Sequence, residues 1–129
     1  MWNGLNRRRF ARIMYPCLVR VLSNGPQPDI FLTHTENIGV GGIYIIVKKE
    51  IKLFACVDIE IDLMDEVDHI LVSGRAVWSV RRKTVESLKP SFYDIGIEFE
   101  NIDDKYKLKL DTAINKFIRK GYKVLKPVY

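Results

Sequence analysis

Four arginines within six residues, Arg7-Arg8-Arg9-Phe10-Ala11-Arg12, form the densest cluster of chemically active groups in this chain. A guanidinium is planar and permanently charged, and its fork of donors fits both a phosphate and the O6/N7 edge of guanine. Such a cluster at the start of a chain can close over a polyanion; taken alone, it also reads as a solvated basic terminus. The second segment is Asn37-Ile38-Gly39-Val40-Gly41-Gly42. An asparagine amide can pair with a purine edge, and glycines let backbone N–H groups approach a ligand closely because no Cβ intervenes. Taken alone, this segment also reads as a glycine-rich β-turn or bulge.

Little else supports catalysis. The two histidines, His34 and His69, fall in separate strands or turns, and no spacing offers the carboxylates that would complete a metal site with them. No nucleophile elbow, P-loop or dinucleotide fingerprint is present. Cys17 and Cys56 sit in apolar, strand-like surroundings without a C-x-x-C spacing, and read as small buried hydrophobes of a reducing compartment. The expectation is a binding protein rather than an enzyme, with no metal and no cofactor.

The elements that must position these segments are short. The chain has 129 residues, the length of one domain, and its 47% hydrophobic content suffices for one core. Residues 1–12 show no apolar periodicity and read as a flexible basic arm. A first strand spans Ile13 to Leu22, with Pro16 marking an edge or a bulge. Strands follow at Ile30 to Ile38, Ile43 to Val47, Val57 to Leu63, Ile70 to Val80 and Phe92 to Phe99. In Val57 to Leu63 the apolar residues alternate with Asp58, Glu60 and Asp62, so one face is wet. Asn101 is placed to cap a helix in which Ile102, Tyr106, Leu110, Ala113, Ile114 and Phe117 form the apolar stripe. Lys105, Lys107, Lys109 and Lys116 face water in this reading, and Gly121 ends the helix. Residues 122–129 are a tail. Six short strands with turns between them predict a small barrel, and the helix stripe fits one of its mouths.

Charge is distributed unevenly. Residues 1–20 carry +5, residues 21–102 carry −5 and residues 103–129 carry +5, giving the net +5. An acidic body between basic ends argues against a nucleic-acid-coating protein. No apolar run approaches the ~20 residues that span a bilayer, and no apolar signal segment follows the first residues, so neither membrane insertion nor secretion is expected.

The ordered set of motifs resembles the PilZ domain family. Arg8-x-x-x-Arg12 is similar to that family's R-x-x-x-R, and Asn37-x-Gly39-x-x-Gly42 to its [D/N]-x-S-x-x-G. Gly74-Arg75-Ala76-Val77-Trp78 resembles its G-x-V-x-W strand. Tyr93-Asp94-Ile95-Gly96-Ile97-Glu98-Phe99 resembles its closing strand, which a C-terminal helix follows. The likeness covers roughly residues 7–119.

The resemblance implies an all-β fold, a six-stranded antiparallel barrel over residues 13–121 with a C-terminal helix. It implies a cytoplasmic bacterial receptor for cyclic di-GMP that signals to a protein partner. Arg8 and Arg12 would grip phosphates and guanine edges, and Asn37, Gly39 and Gly42 would form the rim, with support from Arg7, Arg9 and Gly41. Gly39 departs from the family's serine. One missing neutral hydrogen bond is worth about 0.5–1.5 kcal/mol, which weakens binding several-fold without abolishing it. The alternative is a PilZ-like interaction module that has lost the nucleotide and works by protein contact, as in pilus or motility assembly.

Overall fold

The computed structural model describes residues 12–23, 29–64, 68–82 and 92–125. Arg7, Arg8 and Arg9, most of the 23–29 loop, the acidic turn around 65–67, the basic loop beyond Arg82 and the end of the tail lie outside them.

Val, Ile, Thr and aromatic residues recur through the eight strands formed among the described residues: β1 (Arg12–Ile13), β2 (Leu18–Ser23), β3 (Asp29–Gly39), β4 (Gly42–Val47), β5 (Cys56–Asp62), β6 (Ile70–Arg81), β7 (Tyr93–Glu100) and β8 (Val124–Leu125). One helix, α1 (Asp104–Arg119), follows β7. Strands β2-β5-β6-β7-β4-β3 hydrogen-bond in that order, and β3 returns to β2, closing a six-stranded antiparallel barrel. The two short strands extend it: β1 pairs with the end of β3, and β8 with β1. Closure leaves the six barrel strands without a free edge.

The predicted strand from Ile13 to Leu22 is two strands, because Pro16 breaks the ladder between them. Cys17 N–H bonds back to the Tyr15 carbonyl at 3.1 Å around the proline. The buried Thr35 hydroxyl then bridges the break, donating to the Tyr15 carbonyl at 2.6 Å and accepting from Cys17 N–H at 2.9 Å. The break frees Tyr15 to stack on Phe117 of α1 at 3.8 Å between ring centroids, while its hydroxyl donates to the Leu63 carbonyl at 3.2 Å.

The core is the inward rows of the barrel, including Val21, Ile43, Ile45, Val57, Ile61, Ile95 and Ile97, closed by Leu110, Ala113, Ile114 and Phe117 of α1. The predicted alternation of β5 is present, with Val57, Ile59 and Ile61 buried and Asp58, Glu60 and Asp62 turned outward.

Several details differ from the sequence reading. Asn101 does not cap α1: it takes a left-handed φ of 51° where the chain leaves β7, and Asp103 is the N-cap, without a side-chain cap bond. Ile102, between them, packs on the core and fixes the entry. The Lys109 ammonium is buried, not solvated, and has no hydrogen-bond partner among the described residues. Cys17 is buried as expected, but Cys56 is exposed, because it falls on the outward side of β5 beside buried Val57. Val124–Leu125, read as tail, forms β8. Gly121 does end the helix region, at φ 97°, with Tyr122 N–H returning to the Phe117 carbonyl at 3.2 Å.

Candidate functional site

Two β-bulges decide what the outer face displays. Between β3 and β4 the register runs from Thr35↔Ile45 to Asn37↔Tyr44, so Glu36 is an extra residue on β3. Without it, Asn37 would share the inward face of Thr35; with it, Asn37 joins the outward row of Tyr44. Between β6 and β7 the register runs from Ala76↔Ile97 to Trp78↔Gly96, so Val77 is extra in the same way. The second bulge turns Trp78 outward from a strand whose Ala76 is fully buried. The outcome is one continuous outward row across β3, β4, β7 and β6: Asn37, Tyr44, Gly96, Trp78.

β1 brings the arginine to this row. Arg12 pairs with Gly39 across β1 and β3, and its Nη1 lies 3.5 Å from Asn37 Oδ1. Arg12, read as the last residue of the arm, is therefore the first residue of a strand. Arg7, Arg8 and Arg9 lie outside the described residues. The structure thus joins Arg12, Asn37 and Gly39 from the two predicted segments.

The glycines of the second segment have separate jobs. Gly39 and Gly41 are not in the left-handed region; among the described residues Gly121 is the sole glycine with positive φ. The Gly41 carbonyl accepts from Phe99 N–H at 2.9 Å, tying the turn to β7. A Cβ on Gly42 would collide with the Ile97 backbone carbonyl, so Gly42 is demanded by strand packing. Between them, Val40 reaches toward α1 and shares a shallow hollow with Asp104, Lys107, Leu108 and Asp111.

A polar and aromatic wall completes the face, and sequence reasoning did not assign it to the site. Trp78 lies over Gly96, where a Cβ would meet the indole. Its ring stands 5.2 Å from that of Tyr44, tilted by 59°. Tyr44 Oη donates to Asp94 Oδ1 at 2.9 Å, and Arg82 Nε donates to the same oxygen at 2.9 Å. Burial raises the Tyr44 pKa above its ordinary value, against the lowering influence of the Arg82 hydrogen bond. The Asp94 hydrogen bond raises that of Arg82. Tyr44 is therefore a neutral, fixed ring beside Trp78. The tryptophan and glycine were visible in the sequence as parts of separate strand motifs, but their pairing depends on a bulge that no residue type announces.

The face brings together the Arg12 guanidinium, the Asn37 amide, itself 8% exposed, the backbone of the buried Gly39 and two aromatic rings. The chemistry of such a set suits a planar, anionic ligand, through charge, edge hydrogen bonds and stacking. Nothing in it resembles a nucleophile with its base. Among the described residues no group of His, Cys, Asp and Glu could hold a metal ion, and no helix is long and apolar enough to cross a membrane.

The family model described as PilZ domain matches residues 6–116. Among solved structures, the chain is similar to the Bacillus subtilis inhibitor of motility MotI/DgrA, at 17% identity and a TM-score of 0.68, covering 89% of this chain and 53% of that one. It is similar to the PilZ domain of YcgR from Escherichia coli with c-di-GMP, at 15% identity and a TM-score of 0.67, covering 88% and 93%. The K. pneumonia MrkH–c-di-GMP complex matches at 14% identity and a TM-score of 0.66, covering 88% and 53%. The chain thus spans about half the length of MotI/DgrA and MrkH, and at these identities the likeness is one of fold. No curated protein matches the chain in sequence.

Proposed function

The chain belongs to the PilZ domain family, and from that premise we propose that it is a receptor for cyclic di-GMP. The observation that carries this reading is the meeting of Arg12 with Asn37 and Gly39 on one outward face. Arg12, joined by Arg8, takes phosphate and guanine edges; Asn37 and the Gly39 backbone take a guanine from the rim; Arg7 and Arg9 add attraction. The aromatic wall of Tyr44 and Trp78 supplies a stacking surface on the same face. Similar folds described with c-di-GMP bound, the YcgR PilZ domain and MrkH, support the choice of ligand.

In this mechanism the protein binds and does not catalyse. The dianionic ligand docks against β1 and the β3–β4 turn, and residues before Arg12 fold over it, losing chain entropy against several charge-assisted hydrogen bonds. The changed surface is read by a protein partner in the bacterial cytoplasm. The reading is tested by calorimetric titration with cyclic di-GMP, GTP and a short single-stranded oligonucleotide in parallel. Saturable heat with cyclic di-GMP, and weaker or no heat with the others, is expected. Absence of heat and of thermal shift with cyclic di-GMP sinks it.

One observation favours a second reading. Glycine at position 39, where the family pattern has serine, removes a hydroxyl from the rim. A module that has lost the nucleotide and acts by protein contact accounts for that residue, and the same titration separates the two.

A further inference from the structure

Beyond the two bulges, toward the start of β3 and of β6, the outer barrel surface has a different character. Its rows run from β3 across β2 and β5 to β6: Ile30, Leu22, Asp58, Ser73 in one and Leu32, Arg20, Glu60, Leu71 in the next. Leu32 is 79% exposed, and Leu71, Ile30 and Leu18 are each more than half exposed. Single exposed leucines are ordinary on a protein surface, but four large apolar side chains sharing one sheet face are not.

The face is grooved. A hollow of about 510 Å³ is floored by Ile59 and Val72 and flanked by Leu22, Leu71, Asp58 and Asp103. A second, of about 290 Å³, lies between Leu18, Leu32, Asp62 and His69. Arg20 and Glu60 line both and face each other at 3.8 Å. Across the two hollows four carboxylates, Asp58, Glu60, Asp62 and Asp103, meet two cationic side chains, Arg20 and His69. Both cations are drawn to Glu60, with His69 Nδ1 at 2.6 Å. Among the described residues the face is apolar and net negative even with the histidine charged.

We infer that this face docks a basic amphipathic segment of a partner protein. Its apolar stripe seats against Leu22, Leu32 and Leu71, and its lysines or arginines lie over Asp58 and Asp103. Charge selects this occupant. An anionic membrane surface is repelled by the same carboxylates. A second copy could offer only a different, basic patch of itself, and contact between unlike patches propagates head to tail instead of closing a dimer. The face lies apart from Arg12 and Asn37, so it stands whether or not the nucleotide binds. β3 and β6 nonetheless run continuously from one face to the other.

The test uses the full chain, isotope-labelled, titrated with a synthetic helix bearing a leucine stripe and a lysine face. Amide shifts are expected in β2, β5 and the first halves of β3 and β6. The same peptide with a glutamate face is expected to leave the spectrum unchanged. Leu32→Asp is expected to weaken binding about tenfold or more, the effect of losing one buried leucine. A purely electrostatic contact would instead tighten with that added acid. Asp103→Asn is expected to weaken binding several-fold. Leu71→Ser serves as a second variant if Leu32→Asp does not fold. Shifts confined to another surface, or binding undiminished in Leu32→Asp, overturn the inference. So does self-association of the chain that Leu32→Asp abolishes, which would assign the face to a second copy.

Discussion

Arg12 Nη1 donates to Asn37 Oδ1 across 3.5 Å, at the long limit of hydrogen bonding, joining residues 25 apart in sequence. Arg12 and Asn37, from the two predicted segments, therefore meet within the fold itself. Arg12 is held by the backbone pairing of β1 with β3 on one side and β8 on the other. In the proposed mechanism Arg12 thus exchanges a long contact with Asn37 for a shorter one with the ligand.

Replacing Arg12 by alanine is expected to cost about 1.5–3 kcal/mol of cyclic di-GMP binding, roughly 10- to 150-fold, with the melting temperature little changed. Arg8→Ala is expected to match it. Arg7→Ala and Arg9→Ala should cost less and mainly flatten the salt dependence. Calorimetry on the four variants checks the assignment. Equal losses in all four would make the segment a diffuse cation and remove the special role of Arg12.

Gly39→Ser should tighten binding several-fold, by about 0.5–1.5 kcal/mol, at unchanged stability. The main risk to this substitution was a left-handed backbone at residue 39, which would strain a serine. Gly39 does not adopt one. Affinity and melting temperature measured together decide the matter. Unchanged affinity would mean that residue 39 does not face the ligand.

The barrel was legible in the sequence because its signals are local. The alternation in Val57 to Leu63 and the apolar stripe of α1 each name a buried face without reference to any partner strand. The two bulges were not legible. Glu36 and Val77 are ordinary strand residues, and only the pairings Asn37↔Tyr44 and Trp78↔Gly96 reveal that each is supernumerary. Since those bulges turn Asn37 and Trp78 to the outward row, the sequence named Asn37 as a ligand group without containing the reason it stands on that row. The role of Gly42 was legible only in part. The motif marks the residue, but the demand for glycine comes from the Ile97 carbonyl, more than 50 residues away in sequence and adjacent only after β4 pairs with β7.

Gly42→Ala therefore tests structure rather than recognition. The added methyl meets backbone, which cannot rotate away as a side chain can. A loss of about 1–3 kcal/mol in stability is expected, the usual cost of overpacking, with binding falling in proportion to the distortion of β4. Chemical denaturation without ligand checks it. Full stability with lost binding would reverse the assignment and make Gly42 a ligand contact.

His69 is expected to give the fold a pH dependence. Its ring lies between two carboxylates, with Nδ1 2.6 Å from Glu60 and Nε2 3.5 Å from Asp62. The Glu60 hydrogen bond, assisted by the charges of Asp62 and Glu60, raises its pKa above 6.5, while loss of solvation and the charge of Lys109 oppose the rise. A histidine that binds its proton more tightly when folded stabilises the fold most where it is protonated in both states. The contribution is therefore complete below about pH 6.5, the unfolded value. It declines as pH rises through the folded value and is absent above it. In His69→Gln the difference in melting temperature from the parent should accordingly be largest near about pH 5.5 and shrink as pH rises through the folded value. Glu60 retains Arg20 in that variant, so the carboxylate is not left without a cation. Thermal melts of both proteins across that range provide the check. A difference that is flat with pH would mean that the histidine acts by packing alone, and one that grows toward high pH would mean that the folded protein holds the ring neutral.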